Sequence, residues 1–306
     1  MTADNIMTVD NISLAAPSTR HWTARHTPYL YLLPAVLMVG GFLLYPAVYT
    51  LYISLTSWNG LETPKFIGLQ NYVQFLQDPV FQTSLTNTVI WVIGTILFPV
   101  LLGLGMSLLI TRMRFEGTFK SIFYLPYAIS ATSTSVVWAF MLSPSGFINT
   151  VLHLVGLDAL ARSWMISPPW NTIAMLIAYT WQTAGTNMVL FSVGLQALPT
   201  DPIEAAKIDG ANGWQSFIYV IFPLLRPITT VVITLAVVNS FKVFDLIWVM
   251  TQGGPYRSSE TLAVTMYRES FVLFNLGKGA AIASLLSLIV FAFSAIYLRQ
   301  MFRRND

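Results

Sequence analysis

The chain has 306 residues, 55% of them hydrophobic and only 9% charged, where ordinary soluble domains carry about 25% charged residues. This is the composition of an integral membrane protein. The net charge of +3 is spread over scattered basic residues, which argues against nucleic acid as a partner. The absence of cysteine excludes disulfides and thiolate chemistry.

Residues 1–28 are polar, with no apolar core ahead of Tyr29, and read as a cytoplasmic N-terminal tail rather than a cleavable signal peptide. A bilayer core of about 30 Å needs roughly 20 mostly apolar helical residues. Six stretches qualify: 29–51, 87–110, 123–142, 172–195, 228–250 and 280–298. The third is interrupted by Ser130-Ala-Thr-Ser-Thr-Ser135. The expected fold class is an all-α integral membrane domain of six transmembrane helices over residues 29–300, with a short cytoplasmic C-terminal tail, 301–306. No internal repeat is visible, and His21, His26 and His153 have no metal-ligand spacing.

Basic residues orient the spans. With the N-terminus inside, the inner segments hold ten: Arg20, Arg25, Arg112, Arg114, Lys120, Lys207, Arg226, Arg299, Arg303 and Arg304. The outer loops hold five: Lys65, Arg162, Arg257, Arg268 and Lys278. Ten against five places both termini in the cytoplasm. The outer loops, 52–86, 143–171 and 251–279, are too aromatic and apolar for disordered linkers. Within them 68–76 and 147–155 have the periodicity of short amphipathic helices.

The inner loop 196–227 contains Asp201-Pro-Ile-Glu-Ala-Ala-Lys-Ile-Asp-Gly210. Asp201 as N-cap, Pro202 at the first helical position and Glu204 three residues after the cap make a capping box. Ala205 and Ala206 keep one face smooth for close approach, and Gly210 can take the left-handed conformation that ends the helix. A second helix is expected from Trp214 to Phe222, stopping at Pro223. An ordinary capped surface helix has the same features.

This stretch resembles the Glu-Ala-Ala motif of the binding-protein-dependent ABC importer permeases. Glu204, Ala205, Ala206, Gly210 and Pro223 match in register, with Val220 and Phe222 in place of the usual Ile and Leu. Leu33-Pro-Ala35, Tyr45-Pro46, Phe66-Ile-Gly-Leu-Gln-Asn-Tyr72, Asn87-Thr88, Leu125-Pro-Tyr127, Gly253-Gly-Pro255 and Glu260-Thr-Leu262 are similar to the sugar-permease branch, in particular to maltose- and glycerol-phosphate-type first permease subunits. The resemblance implies the type I importer fold, and a coupling helix that docks on an ATPase; Glu204, Ala205, Ala206, Asp209, Gly210 and Pro223 are the candidate coupling residues. It also implies a second permease subunit, two ATPase subunits, an extracytoplasmic sugar-binding protein and a place in the bacterial inner membrane. Of the five lysines only Lys120 precedes a serine, and Phe119 stands where a P-loop needs glycine. The chain therefore binds no cofactor of its own on this reading; ATP and Mg belong to the partner ATPase. No His-Glu-x-x-His or Gly-x-Ser-x-Gly constellation suggests an enzyme.

Polar groups inside the spans are the candidates for the substrate path, since a charge at the bilayer centre costs about 2.5–3.5 kcal/mol. Span five has Asn239, Ser240, Lys242 and Asp245; Lys242 and Asp245, three apart on a helix, can form a structural ion pair or a polar wall, or a proton relay in a stand-alone secondary transporter. Span four has Tyr179, Trp181, Gln182, Thr183, Thr186 and Asn187, which can meet sugar hydroxyls or bond neighbouring helices. By resemblance, the sugar-facing positions fall at Tyr127, Ala131, Tyr179, Thr183, Thr186, Ser240 and Val243. Ala131 and Val243 lack the polar group of the maltose case. With Lys242 the only basic group in the path and Asp245 able to neutralise it, a neutral di- or oligosaccharide is expected over a polyol or phosphorylated substrate. Trp138 and Trp181 read as packing anchors.

Overall fold

The computed structural model describes residues 20–111 and 113–302, and it falls into two compact units, 1–49 and 50–306. In the first, helix α1 (Arg20–Val39) passes through a π turn (Gly40–Leu44) into α2 (Tyr45–Ser54), with the rings of Tyr45 and Tyr49 stacked at 6.2 Å. Residues 20–28, expected in the tail, are helical; 1–19 and 303–306 lie outside the described residues.

The second unit follows with a short hairpin, β1 (Thr56–Ser57) against β2 (Lys65–Phe66), and the helix α3 (Gln70–Gln77). Asp78 caps α4 (Pro79–Thr95) by accepting from Val80 N–H, and Pro79 begins the helix without an orphaned donor. A π turn (Ile96–Val100) absorbs Pro99, and α5 (Leu101–Ile110) completes the span. Next come α6 (Glu116–Tyr124), a 3₁₀ turn (Leu125–Ala128), α7 (Ala131–Met141), the predicted outer helix α8 (Phe147–Leu154), and α9 (Trp170–Gln196). The loop carries α10 (Asp201–Ile208), α11 (Gly213–Ser216), a π turn (Phe217–Ile221) and α12 (Phe222–Leu224). The rest is α13 (Arg226–Phe241), α14 (Asp245–Thr251), α15 (Leu262–Tyr267), a π turn (Arg268–Val272) and α16 (Leu276–Phe302).

Six unbroken spans are not what forms. Among the described residues three helices are long and apolar enough to cross a membrane unaided, Tyr31–Ser54, Pro79–Ile110 and Leu276–Ala295, with α11–α12 and α13 a fourth if the bent pair is counted. Helix α9, at 27 residues, is about 40 Å long and spans by length. It is less apolar because it is central: Ala174, Met175, Ala178, Met188 and Phe191 are buried on it beside buried Asn171, Thr172, Gln182 and Ser192. The third and fifth expected spans are broken. Pro126 removes a helical donor, Ile129 turns extended (φ −81°, ψ 137°), and Ser130 then recaps α7 by accepting from Ser133 N–H. In span five, Phe244 leaves helical geometry (φ −127°, ψ −59°) between α13 and α14.

The unit has two ends. At one, Gln196 Nε2 at the end of α9 donates to Glu116 Oε1 at the start of α6 (2.8 Å), so the loop 201–224 leaves beside α6. At the other, the segment 254–262 is fastened to the middle of α4 and the start of α9. Asn87 Nδ2 donates to the carbonyls of Ser258 (2.7 Å) and Glu260 (3.0 Å), and Leu262 N–H donates to Thr88 Oγ1 (3.0 Å). Asn171 Nδ2 donates to Gly254 O (3.1 Å) and Ser258 Oγ (3.2 Å). Glu260, wholly buried, accepts from Arg257 Nε and Nη2, both at 2.7 Å. Arg268 adds its charge from 3.3 Å, without hydrogen-bond alignment at Nε, and sends Nη2 to Gln252 O. The hydrogen-bonded Glu260 carboxylate raises the Arg257 pKa above its ordinary value against the opposing effect of burial.

Replacing Glu260 by Ala leaves two partly buried guanidinium groups without their anion, an effect of about 3 kcal/mol or more. The expected outcome is a lower thermal midpoint in detergent and faster amide exchange over 252–262; an unchanged midpoint removes the ion-pair cluster from the stability of this end.

Candidate functional site

Two features can do work: the loop 201–224, and the paired breaks in spans three and five.

In the loop, Thr200 already has helical dihedrals (φ −76°, ψ −33°), and the Glu204 N–H bonds to the Thr200 carbonyl at 2.9 Å. The expected capping box of Asp201 and Glu204 is therefore not made; Asp201 is the first helical residue, and Glu204 projects exposed. The capping box sits eleven residues on: Gln215 N–H donates to Asn212 Oδ1 (2.8 Å) and Asn212 N–H to Gln215 Oε1 (2.9 Å). The far end of α10 matches the expectation. Gly210 lies at φ +81°, Gly210 N–H bonds to Lys207 O (3.1 Å) and Ala211 N–H to Ala206 O (3.0 Å), which is the Schellman closure. A side chain at 210 would meet open space, so only the backbone conformation asks for glycine there.

Pro223 does not stop the second helix. The π turn ahead of it shifts the bonding, with Phe222 N–H reaching back to Phe217 O, and the helix runs on to Leu224 before bending by 72° into α13. Ala205 is exposed and Ala206 half-buried; Ile208, Trp214 and Tyr219 are 86%, 71% and 76% exposed. Behind them Leu225, Ile221 and Phe191 are buried in a core cluster with Val100 and Leu104, against which Ile203 and Phe217 pack. The loop thus has a seated apolar side and an uncovered one. At its root, Lys120 Nζ lies 2.6 Å from Glu116 Oε1 and, by that hydrogen bond, lowers the Glu116 pKa. The tie therefore holds above the ordinary carboxylate range and is lost as pH falls through the lowered value.

The breaks sit together: α14 packs on α7, and both α7 and the 3₁₀ turn pack on α9. Gln182 Nε2 donates to Ile129 O (3.0 Å), satisfying the carbonyl that the break frees. Thr183 Oγ1 bonds within its helix to Tyr179 O (2.7 Å). Thr186 Oγ1 is buried without a partner. The Tyr179 ring meets Trp91 edge-on at 5.7 Å, and Tyr127 is half exposed beside Tyr124. Across the gap Val243 joins the same core cluster as Trp91, Trp138 and Leu246, with Tyr179 packed against it. Ser240 is buried and bonds to Val237 O (2.6 Å). Trp138 and Trp181 form the expected packing pair, edge to face at 6.0 Å.

Lys242 and Asp245 do not pair; among the described residues neither has an ion-pair partner, and both are exposed with Asn239. The helical i,i+3 geometry expected of them is lost because α13 ends at Phe241. The contacts that hold the end away from the loop 201–224 are not visible along the sequence. Asn87-Thr88 and Glu260-Thr-Leu262 stand out as motifs, and their meeting across 173 residues is the finding. At the third span, Leu-Pro followed by a serine three residues before another hydroxyl was the available signal for the break. Gly185 explains why the broken span lies so close to α9: a β-carbon there would collide with the Phe123 carbonyl oxygen.

Comparison with known proteins gives one answer. Residues 121–305 match the family model of the binding-protein-dependent transport system inner membrane component. A probable ABC transporter permease protein of Pyrococcus horikoshii is 38% identical over 284 residues, covering 91% of this chain and 97% of that one. A probable starch degradation products transport system permease of Thermoanaerobacterium thermosulfurigenes is 32% identical, covering 89% and 93%. The crystal structure of a bacterial alginate ABC transporter, in complex with an alginate pentasaccharide-bound periplasmic protein, contains a chain of the same fold. It superposes with a TM-score of 0.80 at 21% identity, covering 92% of this chain and 96% of that one.

Gln182→Leu removes the donor to the Ile129 carbonyl, at a cost of about 0.5–1.5 kcal/mol. The expected result is looser packing of the break, seen as faster proteolysis or exchange at 125–131. Gln182→Glu, unable to donate when ionised, should behave like Leu; a fully protected break in both variants would remove this bond from its architecture.

Proposed function

The chain belongs to the family of binding-protein-dependent transport system inner membrane components, and from this we propose that it is the permease subunit of an ATP-driven carbohydrate importer. It lies in the cell membrane with both termini and the loop 201–224 on the cytoplasmic side. Its partners are a second permease subunit, two ATPase subunits that hold ATP and Mg, and an extracytoplasmic binding protein that delivers a di- or oligosaccharide. The observation that carries the reading is the loop: a helix with a Schellman end, joined to a second helix fixed by its own capping box, seated on the core and leaving Ile208, Trp214 and Tyr219 uncovered. Such a surface fits a cleft on the ATPase, with Glu204, Ala205, Ala206, Asp209 and Gly210 at the contact and Pro223 in the arm behind it.

Closure of the ATPase pair would move this loop and, through α13, the break in span five against the break in span three. Broken helices are where transporters place substrate, because freed backbone groups and flanking side chains face a cavity instead of lipid. We place the path between the two breaks, with Tyr127, Tyr179, Thr183 and Thr186 on one side and Asn239, Ser240, Lys242 and Asp245 on the other. The unpartnered Thr186 hydroxyl supports this, and Gln182 shapes the wall from behind. The name of the relative described as a probable starch degradation products permease, and the saccharide of the alginate transporter, support carbohydrate as the substrate class.

A second reading, a polyol-phosphate or other anionic substrate, is favoured by one observation: Lys242 is exposed and not neutralised by Asp245. Lys242→Gln should lower uptake of an anionic substrate about tenfold or more, in proportion to a lost charge contact, and leave a neutral sugar little affected. Uptake assays with both substrate types in proteoliposomes decide between them.

For the loop, Glu204→Lys should abolish ATP-driven uptake and release the ATPase during purification, with the chain still in the membrane. Gly210→Ala, strained at φ +81°, should weaken coupling by about 1 kcal/mol. Wild-type uptake and ATPase retention in Glu204→Lys would sink the assignment.

A further inference from the structure

A cavity of about 300 Å³ opens at the end of the unit away from the loop 201–224, between the β1–β2 hairpin, α3 and the start of α16. That is the lower end of small-molecule sites, about 300–1,000 Å³. Its frame is pinned. Asn71 Nδ2 donates to the carbonyls of Ser54 and Thr56, both at 2.8 Å, and Gly277 N–H to Trp58 O at 3.1 Å. Asn59 Oδ1 accepts from Leu61 and Glu62 N–H, both at 3.0 Å, and Trp58 Nε1 donates to Glu62 O at 2.6 Å. The side-chain heads that line it are the opposite: Glu62, Lys65, Gln70 and Gln74, exposed to solvent, and the half-buried Lys278 have no side-chain hydrogen bond or ion pair with any described residue.

A pinned frame that leaves its polar heads uncommitted within the chain can offer them to a ligand in exchange for water. Two amides that both donate and accept, one carboxylate, two ammonium groups and the half-buried indole of Trp58 match the needs of a ring bearing many hydroxyls and an apolar C–H face. A protein partner fits less well, because lysine and glutamate are depleted at the cores of protein interfaces while tyrosine, methionine and arginine are enriched. We propose that this cavity binds a saccharide unit, as a surface site separate from the path between the breaks. Two lysines against one glutamate allow an acidic sugar as well as a neutral one. The ligand class rests on the importer reading; the site itself rests on the cavity.

The cysteine-free chain makes the test direct. Ser57, on the cavity wall, is changed to Cys in the co-purified transporter complex in nanodiscs, and the rate of N-ethylmaleimide labelling of this chain is followed by mass. D-glucose, D-mannose, maltotriose and D-glucuronate are the probes. At least one should slow labelling severalfold and saturably, and Gln74→Leu with Lys278→Met should restore the unprotected rate. Leu154→Cys, on exposed α8, should be unaffected. The proposal is overturned if no probe protects Ser57→Cys, if Leu154→Cys is protected equally, or if only sugar-free binding protein protects. Stimulation of ATPase activity by loaded binding protein is read in the same preparation. Stimulation without protection removes the site and keeps the importer; protection without stimulation keeps the site and removes the importer.

Discussion

The buried carboxylate of Glu260 is the constraint on which one whole end of the second unit depends. It carries its charge with no exposure of its own, so it must be matched in place, and Arg257 matches it with two hydrogen bonds of 2.7 Å. Breaking such a pair costs far more than a surface contact. Because the same segment is clamped by Asn87, Thr88 and Asn171, the ion pair fixes the middle of α4 and the start of α9 relative to the connection between α14 and α15. The spans are then registered from one end.

Lipid offers no partner to a freed carbonyl, so a broken span is stable only if the protein supplies one. Gln182 does so for Ile129, and Ser130 recaps the continuation. The chain accepts a discontinuous span three because Gly185 lets α9 come close enough to make the bond. The unpaired hydroxyl of Thr186 and the exposed Asn239, Lys242 and Asp245 are left over once these structural needs are met, which is the reason to assign them to the path rather than to packing.

Much of this was legible in the sequence. The composition and apolar runs placed the helices, and the positions of Gly210, α3 and α8 were readable because left-handed caps and amphipathic periods are local properties. What was not legible is non-local or a matter of competition. Asp201 was a good N-cap candidate, but Thr200 extended the helix by one residue and took the Glu204 N–H. Pro223 read as a stop, yet a π turn one turn earlier relieved it. Lys242 and Asp245 were paired by a helical spacing that ends at Phe241. The partnership of Asn87 with the Glu260 carbonyl joins residues that no window along the chain can contain.

The 72° bend after Leu224 has a mechanical consequence. The arm from Gly213 to Leu224 is about 18 Å long if helical throughout, and the π turn keeps it unbroken across Pro223. Leu225 at the elbow is 1% exposed and embedded among Val100, Leu104 and Phe191. An arm, an elbow held in a bearing and a shaft have the form of a crank: under the proposed coupling, a push of a few ångströms on the tip would not have to slide α13 along its axis, because it would act as torque about the elbow, carried to the far end of α13 where span five is broken.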